Sequence, residues 1–198
     1  MRLTIIAATL ASVGLLGGTT LHARDQDGLD QAAREALEQA VAGTQRSETN
    51  RARDAYRHPV ETLGFIGVKP TDTVVELWPG GGWYTEILAP YLAAKGKLLA
   101  AAPAGKGAES MAKRFDANPA LYGKVERANF PTVLGGTGVA AGTADVVLTF
   151  RNVHNWRMGG QAEGMFKGFF AVLKPGGVLG VVEHRAKADV PTTDKSGY

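Results

Sequence analysis

Hydrophobic residues along the chain follow two alternating patterns, and this alternation predicts an α/β fold. Short, almost continuous apolar runs are typical of strands buried on both faces. Five such runs occur, at 73–77, 97–101, 125–128, 145–150 and 178–183. Segments with hydrophobic residues at helical spacing lie between several of these runs, at 84–94, 109–116 and 161–173. Because strands that alternate with helices form parallel sheets, we expect a doubly wound, mostly parallel, Rossmann-like sheet of about five strands.

The part of the chain before the first strand is expected to add helices. Alanine and leucine at helical spacing predict an amphipathic helix over 25–43, with Gly43 as its left-handed cap. Residues 44–54 are polar and predict a linker. Pro59 suits the first turn of a short helix, and Gly67 suits the residue just after its end.

The N-terminus has the layout of a secretory signal peptide. Met1-Arg2 is followed by an uncharged apolar stretch over 3–18, and the small residue Ala23 precedes a charged pair. We predict cleavage after Ala23 and a periplasmic or secreted protein with no membrane span after cleavage; the alternative is a membrane anchor, for which the stretch is short. The predicted organisation is a signal peptide at 1–23, an N-terminal helix and linker at 24–58, and an α/β domain at 59–198.

Composition narrows the classes of function. The net charge is +3 and the basic residues do not form one run, so nucleic acid is not an expected partner and a small-molecule substrate is. The chain contains no cysteine, which excludes disulfides, a thiolate nucleophile and cysteine-bound metal.

The stretch VVELWPGGGWYTEILAPYL at 74–92 places three glycines between a strand and a helix. Glycines let the backbone approach a ligand closely, although a strand-to-helix turn that only packs has the same pattern. A dinucleotide fingerprint would need a third spaced glycine and a later acid, and a phosphate-binding loop would need Gly-Lys-Ser or Gly-Lys-Thr. Neither pattern is present.

The same stretch resembles the first motif of class I S-adenosylmethionine-dependent methyltransferases. ADVVLTF at 144–150 resembles their fourth strand, and FFAVLKPGGVLGVVEH at 169–184 resembles their segment of helix, turn and fifth strand. RDAYRHPVETLGFIGV at 53–68 and FRNVHNW at 150–156 make the chain similar to a narrower group of exported, predicted methyltransferases. The resemblance implies S-adenosylmethionine as cofactor and methyl transfer to a small molecule.

The resemblance also implies roles for single residues around the cofactor. The expected cofactor-binding residues are Glu76, Gly80, Gly81, Gly82 and Asn129. Trp83 is expected to be either a lid or a core aromatic. Two positions depart from the family: Trp78 replaces the first turn glycine, and Ala102 replaces the acid that holds the ribose hydroxyls. Losing that carboxylate would weaken cofactor binding by roughly 10- to 100-fold.

Groups for the acceptor are expected after the fourth and fifth strands. His154 and His184 are the predicted acid–base residues, because histidine titrates near neutral pH. Asn152, Asn155 and His58 are the predicted substrate-binding residues. Three histidines, His58, His154 and His184, are an alternative set of metal ligands, but they lack local ligand spacing and we expect no metal.

Two other functions remain open from the sequence. One is a non-catalytic periplasmic protein that binds another small ligand on the same fold, and the other is a nicotinamide-dependent oxidoreductase. The family continues beyond the fifth strand with a helix and two strands, so the chain is expected to be truncated at its C-terminus. An exposed fifth strand would then favour a homo-oligomer that covers it.

Overall fold

A parallel five-stranded sheet forms the centre of the molecule. The computed structural model describes residues 28–130, 138–185 and 188–191. The strands are β1 (Thr73–Leu77), β2 (Lys97–Ala102), β3 (Glu126–Asn129), β4 (Ala144–Phe150) and β5 (Leu173–Val182). Their order in the sheet is β3-β2-β1-β4-β5, and each neighbouring pair is parallel. The predicted fold class is therefore confirmed.

Helices cover both faces of the sheet. The described helices are α1 (Gln31–Ala42), α2 (Glu48–Arg51), α3 (Asp54–Arg57), α4 (Pro59–Ile66), α5 (Thr85–Leu92), α6 (Lys106–Ala117), α7 (Pro119–Tyr122), α8 (Val153–Met158) and α9 (Ala162–Val172). Successive residues of a strand point to opposite faces. Val74 accordingly packs in the core under α1, α5 and α6, whereas Val75 packs in the core under α8 and α9. Burial on both faces explains why the strands read as continuous apolar runs.

The N-terminal helices confirm part of the prediction and correct part of it. α4 has Pro59 in its first turn and ends at Gly67, whose φ of 82° is left-handed. The predicted left-handed cap at Gly43 is wrong, because Gly43 has a φ of −61° and the chain leaves α1 extended. The segment predicted as a linker contains α2 and the start of α3, so part of it is helical.

One further local prediction differs from the structure, and one short helix was not predicted. β5 begins at Leu173, so LKPGG belongs to the strand rather than to a preceding turn. A register shift between Ala144 and Val146 absorbs the extra residues, and Gly176 takes a left-handed φ of 80° there. α8, which carries His154, follows β4 directly and is too short to show a helical period in the sequence.

β5 lies at one edge of the described sheet. Val178 and Val181 on this strand are about 40% exposed, and Phe65 of α4 is almost fully exposed nearby. Across the described residues, no helix combines the length and apolar character that a membrane crossing requires. The predicted signal peptide, including the cleavage site after Ala23, lies outside the described residues.

Candidate active site

A cavity of about 820 Å³ opens beside the glycine turn, at the carboxyl ends of β1, β4 and β5. This is the edge of a doubly wound sheet at which ligands bind. Gly80 and Gly81 border the cavity. A Cβ added to Gly81 would meet no heavy atom within 4 Å, so the backbone there is accessible from the cavity. Gly82 does not border it; a Cβ on Gly82 would lie 3.2 Å from Nη1 of Arg114.

Glu76 contributes a buried carboxyl group to the cavity wall. Its side chain is 1% exposed, and its Oε2 accepts a hydrogen bond of 2.7 Å from the Thr85 hydroxyl. Burial raises the pKa of Glu76 to about 7, although the Thr85 hydrogen bond and the positive charge of Arg114 act in the opposite direction. Burial thus favours the protonated form of Glu76 at pH values at which an exposed glutamate is ionised.

His154 and Glu183 form a hydrogen-bonded pair in the same cavity. α8 carries His154, which is 6% exposed, and Glu183 follows β5 on the neighbouring strand. Nδ1 of His154 lies 2.9 Å from Oε1 of Glu183. Burial raises the pKa of Glu183, but hydrogen bonds from the His184 and His154 backbone N–H groups and the His154 ring outweigh it and hold the pKa below its ordinary value.

The state of Glu183 determines which nitrogen of His154 carries the proton. An ionised carboxylate only accepts hydrogen bonds, so Nδ1 of His154 must donate. In the neutral imidazole ring, Nε2 is then the basic atom. This is the arrangement by which a carboxylate orients a histidine base.

His184 has a different environment. Its Nε2 accepts a hydrogen bond of 3.0 Å from Nε of Arg151, since a guanidinium can only donate. The ring centroids of His154 and His184 are 5.3 Å apart. The structure therefore brings both predicted acid–base residues to one site, but Arg151 engages the basic nitrogen of His184.

The same three side chains have the chemistry of a metal site. His154, Glu183 and His184 each offer a ligand atom, and these atoms lie within 4.8 Å of one another. Two imidazoles and one carboxylate form a donor set that Zn²⁺ and Fe²⁺ accept. His58 does not belong to this group, so the alternative set of three histidines is replaced by one with Glu183.

The other predicted site residues divide into two groups. Asn152 and His58 border the cavity, and Asn152 donates from Nδ2 to the Leu77 carbonyl and the Thr149 hydroxyl, each at 3.2 Å. Asn152 thereby ties the end of β4 to the end of β1. Asn155 is exposed, Asn129 lies at the end of β3, and neither borders the cavity.

Two tryptophans border the cavity without filling it. Nε1 of Trp78 donates to the Phe130 carbonyl at 2.7 Å, which joins the ends of β1 and β3. Nε1 of Trp83 donates to the Asn50 carbonyl at 2.7 Å. Ala102, at the end of β2, is buried and provides no carboxylate.

Residues 47–58 carry α2 and α3 and contribute five residues to the cavity lining, Asn50, Arg53, Tyr56, Arg57 and His58. We call this segment the N-terminal wall. Arg53 and Arg57 of this wall border the cavity, and the Arg57 guanidinium lies 4.7 Å from the centroid of the Trp83 ring. The sequence did not single out Arg53 or Arg151, because their roles depend on which segments the fold brings together.

Comparison with solved structures identifies the architecture. The chain is similar to a SAM-dependent methyltransferase from Aquifex aeolicus, with a TM-score of 0.57 and 18% identity over 73% of this chain and 74% of that one. The fold is that of class I methyltransferases. The CurJ carbon methyltransferase gives a TM-score of 0.52 and 14% identity over 78% of this chain and 41% of that one. No protein-family model matches the chain, and no curated protein does.

Within the methyltransferase fold, the cavity has the size and part of the chemistry that the cofactor requires. Its volume of about 820 Å³ lies in the range typical of small-molecule sites. The open backbone at Gly81 and the carboxyl group of Glu76 stand at the end of β1. Gly80, Gly81 and Glu76 are thus placed to contact a small molecule bound in this cavity.

Proposed function

We propose that this protein transfers a methyl group from S-adenosylmethionine to a small-molecule acceptor. The observation that carries the proposal is a methyltransferase fold whose glycine turn borders the same cavity as a hydrogen-bonded His154–Glu183 pair. The cofactor, when bound, would supply an electrophilic methyl group. Methyl transfer is a direct displacement, so the protein acts mainly by orienting the reactants.

His154 is the proposed general base for the acceptor. Glu183 holds the Nδ1 proton, which leaves Nε2 of the neutral ring to take a proton from a hydroxyl or amine as the methyl group is transferred. A positioned base of this kind contributes about 100- to 10,000-fold to a rate. His184 is proposed to position Arg151 and to assist from the neighbouring strand end.

One observation favours the second candidate, a non-catalytic protein that binds another small ligand. The residue at the end of β2 is Ala102, which is buried and has no carboxylate. Trp78 also reaches from the end of β1 to the Phe130 carbonyl, across the strand end where Ala102 lies. Such a protein would bind a ligand in the cavity with no affinity for S-adenosylmethionine.

Calorimetric titration with S-adenosylmethionine and its demethylated product, S-adenosylhomocysteine, tests the proposal. We expect both to bind at micromolar concentration. Gly81→Leu should weaken binding by at least about tenfold, because it adds a bulky side chain to a residue that borders the cavity, without left-handed strain or a clash with the protein. Gly164→Leu on the exposed face of α9, where a Cβ also meets nothing within 4 Å, is the matched control.

The result of this titration separates the two functions. Binding that Gly81→Leu weakens at least about tenfold and Gly164→Leu leaves unchanged supports methyl transfer. A folded wild-type protein that binds neither compound at millimolar concentration would exclude cofactor use by this chain and leave the ligand-binding alternative.

We also propose that the protein is exported and that β5 pairs with a second copy. Export is supported by the N-terminal sequence, and a mature chain that begins at Arg24 by mass spectrometry would support it. Pairing is supported by the edge position of β5 and its exposed valines. A single monomeric mass by light scattering at high concentration would contradict it.

A further inference from the structure

The cavity wall carries a group of like charges. Arg53 and Arg57 of the N-terminal wall and Arg151, which follows β4, all border the cavity. Burial lowers the pKa of Arg57, and the positive charges of Arg53 and Arg151 lower it further. Three guanidinium groups from two separate segments of the chain thus border one cavity with charge of the same sign.

Nearby carboxylates are engaged elsewhere. Both oxygens of Asp54 accept hydrogen bonds from Arg46, at 2.5 and 2.8 Å, and the charge of Asp54 is the smallest of the causes that act on the pKa of Arg57. Glu183 accepts hydrogen bonds from His154 and His184. Within the described part of the chain, Arg53, Arg57 and Arg151 form no ion pair with a carboxylate. Among the described residues, the three guanidinium groups are thus not paired with a carboxylate.

Contacts hold two of the three arginines in place. The Arg57 guanidinium stacks 4.7 Å from the centroid of the Trp83 ring, and the Trp83 N–H is itself bonded to the Asn50 carbonyl. Arg151 uses Nε to donate to His184. That bond leaves both terminal nitrogens of Arg151, with four N–H donors, for other partners.

We propose that the Arg53–Arg57–Arg151 group binds a carboxylate or phosphate group of the methyl acceptor, so that the acceptor is a small organic acid or a phosphate ester. This proposal rests on the proposed function. Guanidinium groups bind such anions through paired, charge-assisted hydrogen bonds. Arg151 contacts His184, whose ring lies 5.3 Å from that of the proposed base His154, so an anion bound here would lie beside the reacting group.

The first experiment measures binding of inorganic phosphate by calorimetry at constant ionic strength. We expect the double variant Arg53→Gln/Arg57→Gln to bind phosphate at least about tenfold more weakly than the wild-type protein. Arg51→Gln, an exposed arginine of the same wall that does not border the cavity, should leave binding unchanged. Arg57→Lys keeps the charge and should retain part of the affinity, which separates charge from folding defects.

The second experiment distinguishes the acceptor from the cofactor, because S-adenosylhomocysteine also carries a carboxylate. If the group binds the acceptor, the double variant keeps its affinity for S-adenosylhomocysteine, and phosphate does not compete with that compound. Tenfold weaker S-adenosylhomocysteine binding with phosphate competition would overturn the acceptor assignment. Equal phosphate affinity in wild-type and double-variant protein would overturn the anion site itself.

A failure of the proposed function gives a different result from a failure of this inference. Wild-type protein that binds phosphate through the arginines, but does not bind S-adenosylhomocysteine, would exclude methyl transfer and support the anion site alone. Protein that binds S-adenosylhomocysteine and shows no arginine-dependent phosphate binding would support methyl transfer and exclude an acidic acceptor at this position.

Discussion

Glu76, in the cavity wall, is a carboxyl group buried in an apolar environment. It lies on β1 among buried valines and leucines, yet it carries an ionisable group that is 1% exposed. Burial of a carboxyl group penalises its charged form. Such a group is retained at a cost in stability, and perturbed carboxyl groups in cavities are frequent at functional sites.

Glu76→Gln is expected to remove a pH dependence of stability. Because folding raises the pKa of Glu76 to about 7, the folded state binds its proton more tightly than the unfolded state. The free energy of unfolding therefore falls as pH rises from about 4.5 to above 7. Glu76→Gln should match the wild-type protein near pH 5 and exceed it at pH 8, by up to about 3 kcal/mol.

Denaturant unfolding of both proteins between pH 5 and pH 8 measures this difference. Glu163→Gln, on a side chain that is 82% exposed, is the control for the same substitution at the protein surface. A Glu76→Gln difference that is constant across this range would contradict the assigned pKa.

For single residues, the sequence predicted which positions lie at the cavity better than it predicted the contacts they make with distant segments. Glu76, Gly80 and Gly81 border the cavity as the turn motif predicted, because a strand followed by a glycine turn has few possible geometries. Gly82 packs against Arg114 of α6, and a contact with a distant helix leaves no local signal. Glu183 likewise contacts His154 because β5 lies beside β4, and the local sequence does not show this pairing.

Among the elements, the N-terminal wall depends on one buried ion pair. Arg46 is 2% exposed, and its guanidinium donates to both oxygens of Asp54 and to the Val41 carbonyl. These bonds connect the end of α1 to α3. The wall in turn supplies the Asn50 carbonyl to Trp83 and two arginines to the cavity.

Asp54→Ala should remove the bonds to Arg46 that connect the N-terminal wall to α1. Removing one partner of a buried ion pair leaves the other charge without compensation, and we expect the free energy of unfolding to fall by roughly 2–4 kcal/mol. Trypsin should also cleave after Arg51 and Arg53 faster than in the wild-type protein. Asp116→Ala breaks the exposed pair with Arg127 and should cost less than about 1 kcal/mol. Equal losses in the two variants would show that the Arg46–Asp54 pair does not hold the wall.

The positions of the main strands and long helices followed from hydrophobic periodicity, whereas the short elements did not. β1 coincides with the predicted run, and β2 and β4 differ from it by one residue. α2, α3 and α8 have four to six residues, which is too few to express a helical period. They form through tertiary contacts such as the Arg46–Asp54 pair, which no local pattern predicts.

Backbone strain across the whole molecule is concentrated at the cavity. Among the described residues, three that are not glycine have a left-handed φ: His58 at 42°, Trp78 at 49° and Arg151 at 61°. They lie in three separate segments of the chain, and all three border the cavity. A left-handed conformation costs an ordinary residue roughly 1–2 kcal/mol, and such strain clusters at functional sites.

His58→Gly is expected to relieve backbone strain and to weaken ligand binding. His58 is exposed and joins α3 to α4, so its side chain contributes little packing, while glycine adopts its left-handed φ without strain. His58→Gly should unfold with a free energy about 1 kcal/mol higher than His58→Ala, which keeps the strain and also lacks the imidazole. The two variants should have the same affinity as each other for phosphate, and the same affinity as each other for S-adenosylhomocysteine. For one of these two ligands, the affinity of both variants should be lower than that of the wild-type protein. Equal stability of the two variants would show that the backbone at His58 is not strained, whereas wild-type affinity for both ligands would remove His58 from the binding site.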